Sequence, residues 1–561
     1  MKPRFHVILI ALLIVLLQTI AAAQSRPIGQ ERAVPQRLQD GDEFTLSPAD
    51  LIEYGRQIFI ANWTVQEGFG RPLTDGIGKP LEDPGSPLVF PRNMNRISAP
   101  DANSCAGCHA QPYAGGGGDF VANVVVLAQR FDFLTFDSTD TRTLRGARDE
   151  ANRQVTLSEA GNSRITIGMF GAGYIEMLAR QITADLQAIR DSVQPGGSAQ
   201  LISKGISFGM LSRTRNGSWD SSKVVGIPRF SLTTTGNQSE AITAWNLNDI
   251  LSRSTNTLTS GASQPPNLII RPFHQSGRVV SLREFTNNAF NHHHGMQSTE
   301  RFGVGADPDG DGVANELNHA DITASTIFQA TLPVPGQVLP SDPGTLAAVQ
   351  NGQTLFGQVG CASCHVPMLP LDRNGWVFTE PGPYNPNTTN NFNLQPTEAP
   401  TLSVDLTSDS LPGPRLKPDD NGIVWVPAYT DFKLHDITSG PGDPNREPLD
   451  QQIAAGPAFF AGNGKFITRK LWGAGNTGPY FHHGQYTTLR EAILAHQGES
   501  LPQYNAFMAL SAEDQDSIIE FLKSLQVLPL GESRLVITDE DLAEYSPAAT
   551  HLEKSLMQIG R

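Results

Sequence analysis

The chemistry-bearing residues of this 561-residue chain gather in two copies of one pattern, Cys105-Ala106-Gly107-Cys108-His109 and Cys361-Ala362-Ser363-Cys364-His365. Together the copies use all four cysteines. Two thiols at this spacing can add to the two vinyl groups of a porphyrin, and the histidine that follows can reach the iron from one face. The pattern therefore reads as two covalent haem c sites. A thioredoxin-like pair does not require the histidine, which is present both times. Zinc ribbons space their CxxC units about 15 to 20 residues apart, whereas the motif histidines are 365 − 109 = 256 positions apart. Each motif is expected to hold its own haem.

The elements that must position these groups repeat as well. Before each motif stands a helix-like segment with one phrase, Gly55-Arg56-Gln57-Ile58-Phe59 and Gly352-Gln353-Thr354-Leu355-Phe356. Such a segment suits the opening helix of a cytochrome c domain. Far downstream, Phe273-His274-Gln275-Ser276-Gly277 and Phe481-His482-His483-Gly484 each lead to a capping box, Ser281/Glu284 and Thr488/Glu491, which starts a helix. On the second of these helices Leu489, Ile493 and His496 share a face, and Gly498 supplies the stop. Beside a haem, His496 is expected to be an iron ligand. The first helix ends in His292-His293-His294-Gly295, of which at most one or two can point at an iron; a solvated helix end is the bland alternative.

Other features carry less. Asp307, Asp309, Asp311 and Glu316 place oxygens at alternate positions around Gly310 and Gly312, the logic of a short Ca²⁺ loop. Ile175, Leu178, Ile182 and Leu186 mark a core helix within 172–193. Met368, Met508 and His435 are weaker axial-ligand candidates than His496, and Arg469 and Lys470 could pair with haem propionates. No nucleophile triad, phosphate loop or dinucleotide fingerprint stands out.

The net charge of 41 − 56 = −15 argues against nucleic acid or anionic lipid as partner. Lys2 and Arg4, the apolar run Val7 to Leu17 and Ala21-Ala22-Ala23 read as a cleavable secretory signal over residues 1–23, so export to the periplasm and no membrane insertion of the mature chain are expected.

The two motifs, the phrase Arg469-Lys470-Leu471-Trp472-Gly473, Pro479 to Gly484, and the helix ending at His496 resemble the di-haem oxidoreductase family, relatives of bacterial di-haem cytochrome c peroxidases. The resemblance implies His109 and His365 as proximal ligands and electron transfer at the Cys361/Cys364 haem. There His496 stands where the peroxidases have Met, which implies a lower potential. It implies a reactive haem on Cys105/Cys108. In its distal pocket the expected bridging Trp is His274 or Gln275, the expected Gln is Phe285, and Glu300 is the acid only if a gap is allowed.

The expectation is thus a mainly α-helical protein of two cytochrome c-like domains, 24–340 enlarged by loop insertions and 341–530, followed by a tail, 531–561. Its expected activity is reduction of hydrogen peroxide with electrons from a small cytochrome c or cupredoxin, with His292, His293, His294, Glu300 and Phe285 as the pocket candidates. Two haem c groups are the expected cofactors, with Ca²⁺ as a further candidate. The rival readings are an electron carrier with two six-coordinate haems, and a haem oxygenase or oxidase acting on an organic or protein substrate.

Overall fold

The computed structural model describes residues 28–70, 102–122, 143–148, 154–156, 163–227, 265–277, 279–307, 310–383, 401–447 and 462–545. The expected export signal, Arg278, Asp309 and the chain from 546 onward lie outside them, as does the side chain of His292. The helices that position the site are, in chain order, α1 Pro48–Ile60, α2 Ala172–Ser192, α3 Leu282–Ala289, α4 His319–Ala330, α5 Pro343–Gln358, α6 Leu489–Leu494 and α7 Ala512–Ser524.

Local chemistry starts these helices where they start. The side chains of Ser47, Asn318, Asp342 and Ser511 each accept a hydrogen bond from the amide three residues on, and Pro48 and Pro343 open α1 and α5. Each such cap is worth about 1 kcal/mol. The two boxes read from the sequence are present: Ser281 and Thr488 accept from the amides of Glu284 and Glu491. Glu491 returns the bond to the Thr488 amide, while Glu284 bonds the amide of Val280. The core helix spans Ala172–Ser192 with Ile175, Leu178, Ile182 and Leu186 buried.

The repeated phrase has a packing cause. α1 crosses α4, and α5 crosses α7, so closely that a Cβ on Gly55 would lie 2.0 Å from the Ala324 carbonyl oxygen and one on Gly352 1.9 Å from that of Ser517. One turn on, Phe59 packs on Phe328 at 5.3 Å and Phe356 on Phe521 at 5.5 Å. The same two rings lie 6.2 Å from His109 and 6.4 Å from His365. α4 is therefore the first half's counterpart of α7. It follows that Gly55→Ala and Gly352→Ala should destabilise the protein by about 1–3 kcal/mol through overpacking, although alanine is the better helix former by ~1 kcal/mol. Urea unfolding of each variant checks the sign; a gain in stability would mean that the helices do not cross this closely.

The expectation of a mainly α protein is corrected by the structure, which is 35% helical and 16% strand. Among the described residues the strands form seven small sheets of two or three strands. They were hidden because they are short and set in long connections. Ser198–Ser203 and Ile206–Arg213, for instance, form a hairpin turned by Lys204 and Gly205, both at positive φ, a geometry in which the turn's twist matches that of its strands.

The segment after 530, expected as a tail, is partly structured. Val536–Thr538 pairs in parallel with Gly336–Leu339, whose other edge takes Leu525–Gln526. A separate apolar cluster gathers around each motif. Phe59, Phe170, Phe328, Leu332 and Val527 pack by Cys105, and Leu355, Phe356, Phe507, Ile518, Phe521 and Leu522 by Cys361.

Candidate functional site

Cys105–Cys108 forms a single helical turn, and Cys361–Ser363 a tighter one. Both turns open onto one continuous cavity of about 650 Å³, lined by Cys105, Cys108 and His109 at one end and by Cys361, Cys364 and His365 at the other. Backbone carbonyls hold the motif imidazoles from behind. The Nδ1 of His109 lies 3.2 Å from the Gly116 oxygen, and that of His365 lies 3.2 Å from the Tyr429 oxygen. Each ring therefore donates from Nδ1 and presents a bare Nε2, the tautomer an iron ligand needs. Burial pulls both histidines down to about 4, so they stay neutral.

At the second motif the opposite wall is His496. Its Nδ1 is 2.8 Å from the Ala492 oxygen, and its ring centroid is 6.5 Å from that of His365. Two imidazoles bonded to one metal at about 2 Å each need close to that separation, so this pair fits haem held from both faces. Met368 and Met508 are largely exposed and are not rivals. His435, also on the cavity wall beside Cys364, is clamped between Asp431 and Glu499 at 2.9 Å each.

At the first motif the candidates separate. His294 is buried, with Nδ1 2.6 Å from the Ala102 oxygen and Nε2 3.4 Å from Cys105 Sγ, so it sits at the attachment cysteine. His293 lines the cavity and lies within electrostatic reach of His109, just as His496 does of His365. Both histidines stand on a π-helical turn, Phe290–His294, that extends α3; such turns recur at functional sites. Phe285 also faces the cavity, and so does His274, whose Nδ1 meets Ser276 Oγ at 2.9 Å. Gln275 reaches the cavity but donates to Glu447 at 2.8 Å.

Glu300 does not serve as a pocket acid here. Its carboxylate is fully buried against Arg283 and accepts from Asn287 at 2.8 Å, away from the cavity wall. The loop read as a calcium site turns its carboxylates inward. Asp307 accepts from the amides of Gly310, Asp311 and Gly312, Asp311 from Val313, and buried Glu316 from Gln297.

The sequence reading missed several wall residues. Thr286, Ser325 and Gln329 join α3 to α4 through the Gln329 amide and face the first end of the cavity. The available signal was a helix, α4, whose serines, threonines and glutamine are buried on every side. Between the two ends Arg469, Lys470 and Trp472 line the waist. Burial pulls Arg469 down to about 10 and Lys470 to about 7, the latter helped by its neighbour. The Trp472 indole N–H is buried and finds no acceptor among the described residues. The Lys470 ammonium donates to the Phe170 carbonyl at 3.2 Å, so two buried cationic side chains and one unsatisfied indole N–H line the cavity, a set that fits the carboxylates haem carries.

Two cysteine pairs, each with a neutral histidine held from behind, stand at the two ends of one cavity, the donor set that a pair of haems would need. Residues 403–525 match the family model described as "Di-haem oxidoreductase, putative peroxidase". The matched segment, 525 − 403 + 1 = 123 of the 561 residues, is similar to that family, in keeping with the resemblance read from the sequence. No curated protein matches the chain. Among solved structures, Kuenenia stuttgartiensis hydrazine synthase, pressurized with 20 bar xenon, is 18% identical over 38% of this chain, at a TM-score of 0.22. The aligned region spans 57% of that chain, and a likeness this slight carries no argument.

Proposed function

We propose that the protein is an exported, periplasmic di-haem oxidoreductase with both haems attached covalently, at Cys105/Cys108 and Cys361/Cys364, and that it reduces hydrogen peroxide at the first. The observation that carries this reading is the single cavity shared by both motifs. Bound there, the two haems would supply two redox-active irons. The chain's own residues do the rest. His365 and His496 would hold the second haem from opposite sides, leaving electron transfer as its role. Arg469 and Lys470 neutralise carboxylates at the waist. Leu282, Phe285 and Phe290 keep the first end dry, and the His293 imidazole stands there to pass a proton between the peroxide oxygens. Peroxide takes up two electrons and two protons and leaves as two waters. The electrons are supplied by a small cytochrome c or cupredoxin, whose basic face suits a chain of net charge −15.

The nearness of His293 to His109 favours one rival, an electron carrier in which both irons are six-coordinate. EPR on the oxidised and half-reduced protein, with a peroxide-consumption assay using a reduced small cytochrome, separates the two. A high-spin ferric signal in either state, with turnover, is expected; two low-spin signals in both states and no turnover would leave the carrier. Retention of haem on a denaturing gel, about halved by Cys→Ala changes in either motif and lost when both are changed, tests the covalent attachment.

A further inference from the structure

The two halves share more than motifs. Around the second pair of phrases they correspond residue for residue at one constant offset, 484 − 277 = 207 for the glycines Gly277 and Gly484, both at positive φ. At that offset His274 and Phe481 are both at positive φ, and the isolated bridge Phe273 to Val279 matches Tyr480 to Tyr486. The helix caps Ser281 and Thr488 and their partners Glu284 and Glu491 match as well. The register continues into the cavity wall, where Leu282, Phe285, Thr286 and Ala289 line the first end as Leu489, Ala492, Ile493 and His496 line the second.

The residue in the first half that corresponds to His496 is therefore Ala289. From this, and resting on the di-haem reading above, we infer that Ala289 is the position that leaves the sixth site of the first haem open. A methyl group cannot bind iron, and the space a side chain like that of His496 would fill is left for a small ligand. His293 stands about one turn further along the same helical path, on the π-helical turn, so it overlooks this space from beyond. Of the four matched wall positions, 289/496 is the one at which one half carries an iron-binding side chain and the other does not.

The test is to restore the symmetry. In the oxidised wild-type protein one high-spin and one low-spin ferric signal are expected, with cyanide binding to the high-spin haem. Ala289→His should convert that signal to low-spin and weaken cyanide binding about a hundredfold if only one molecule in a hundred stays open. Ala289→Met, whose unbranched thioether adapts more readily to the wall, and the reverse exchange His496→Ala, which should create a second high-spin haem, are read in the same way should the first variant fail to take up haem. The inference is overturned if the wild-type protein is low-spin at both haems and blind to cyanide, or if the Ala289 variants keep the wild-type spectrum and cyanide affinity. A wild-type protein that binds cyanide but does not consume peroxide would instead sink the peroxidase reading and leave this one standing.

Discussion

Exchanging His496 for Met should raise the reduction potential of the second haem by on the order of 0.1 V, a modest part of the roughly 0.8 V over which axial ligands tune haem. The imidazole is fixed by the Ala492 carbonyl and faces His365 across 6.5 Å. A thioether is a weaker electron donor than imidazole, so it stabilises the reduced iron. Potentiometric titration followed in the visible spectrum gives the shift, and the first haem should keep its own potential. Turnover should slow, because electrons held more tightly at the second haem have less driving force toward the first. An unchanged potential would show that His496 does not bind the iron.

Much of this site was legible because the chemistry demands contiguous residues. Both motifs, both caps and the stripe ending at His496 are local patterns, and each occupies its expected place. The glycines of the repeated phrase were also visible, although their reason was not. Only the helices they cross, α4 and α7, explain them, and those contacts lie 269 and 165 residues away, as 324 − 55 and 517 − 352 show. The strands were missed because segments of two to eight residues scarcely establish an alternation. Glu300 was misjudged for a related reason. A carboxylate near a histidine run in sequence reads as pocket chemistry, and nothing local announces that Arg283, on the preceding helix, claims it. Ala289 carried no signal at all until the two halves could be laid over one another.

Arg283 is where the largest loss of stability is expected. Its guanidinium is fully buried and bonds Glu300, Thr323 at 3.0 Å and Glu380 at 3.1 Å. Glu380 in turn lies 3.6 Å from Arg180, which pairs with Glu176 at 2.6 Å. The other oxygen of Glu176 accepts the Leu282 amide at 2.7 Å, so the network anchors the start of α3. Arg283→Met would leave two buried carboxylates without their shared cation, at a cost of about 3–5 kcal/mol. The loss should depend on pH with a definite sign. Burial already raises Glu380 to about 7, against an ordinary value of 4.5, and Arg283 opposes that rise. Without the cation the folded protein holds the Glu380 proton more tightly than the unfolded chain does. Stability of the variant should therefore fall as pH rises above about 4.5, and the gap to the wild type should widen toward neutrality. Urea unfolding at pH 5 and pH 8 measures it, and Glu300→Gln added to Arg283→Met should recover part of the loss by removing one of the stranded charges. Because α3 carries Leu282, Phe285, Thr286 and Ala289 into the cavity, a folded remnant of the variant should also show a disturbed first-haem spectrum while the second, walled by α6, keeps its own. Equal disturbance of both would mean that the network supports the whole molecule rather than this wall.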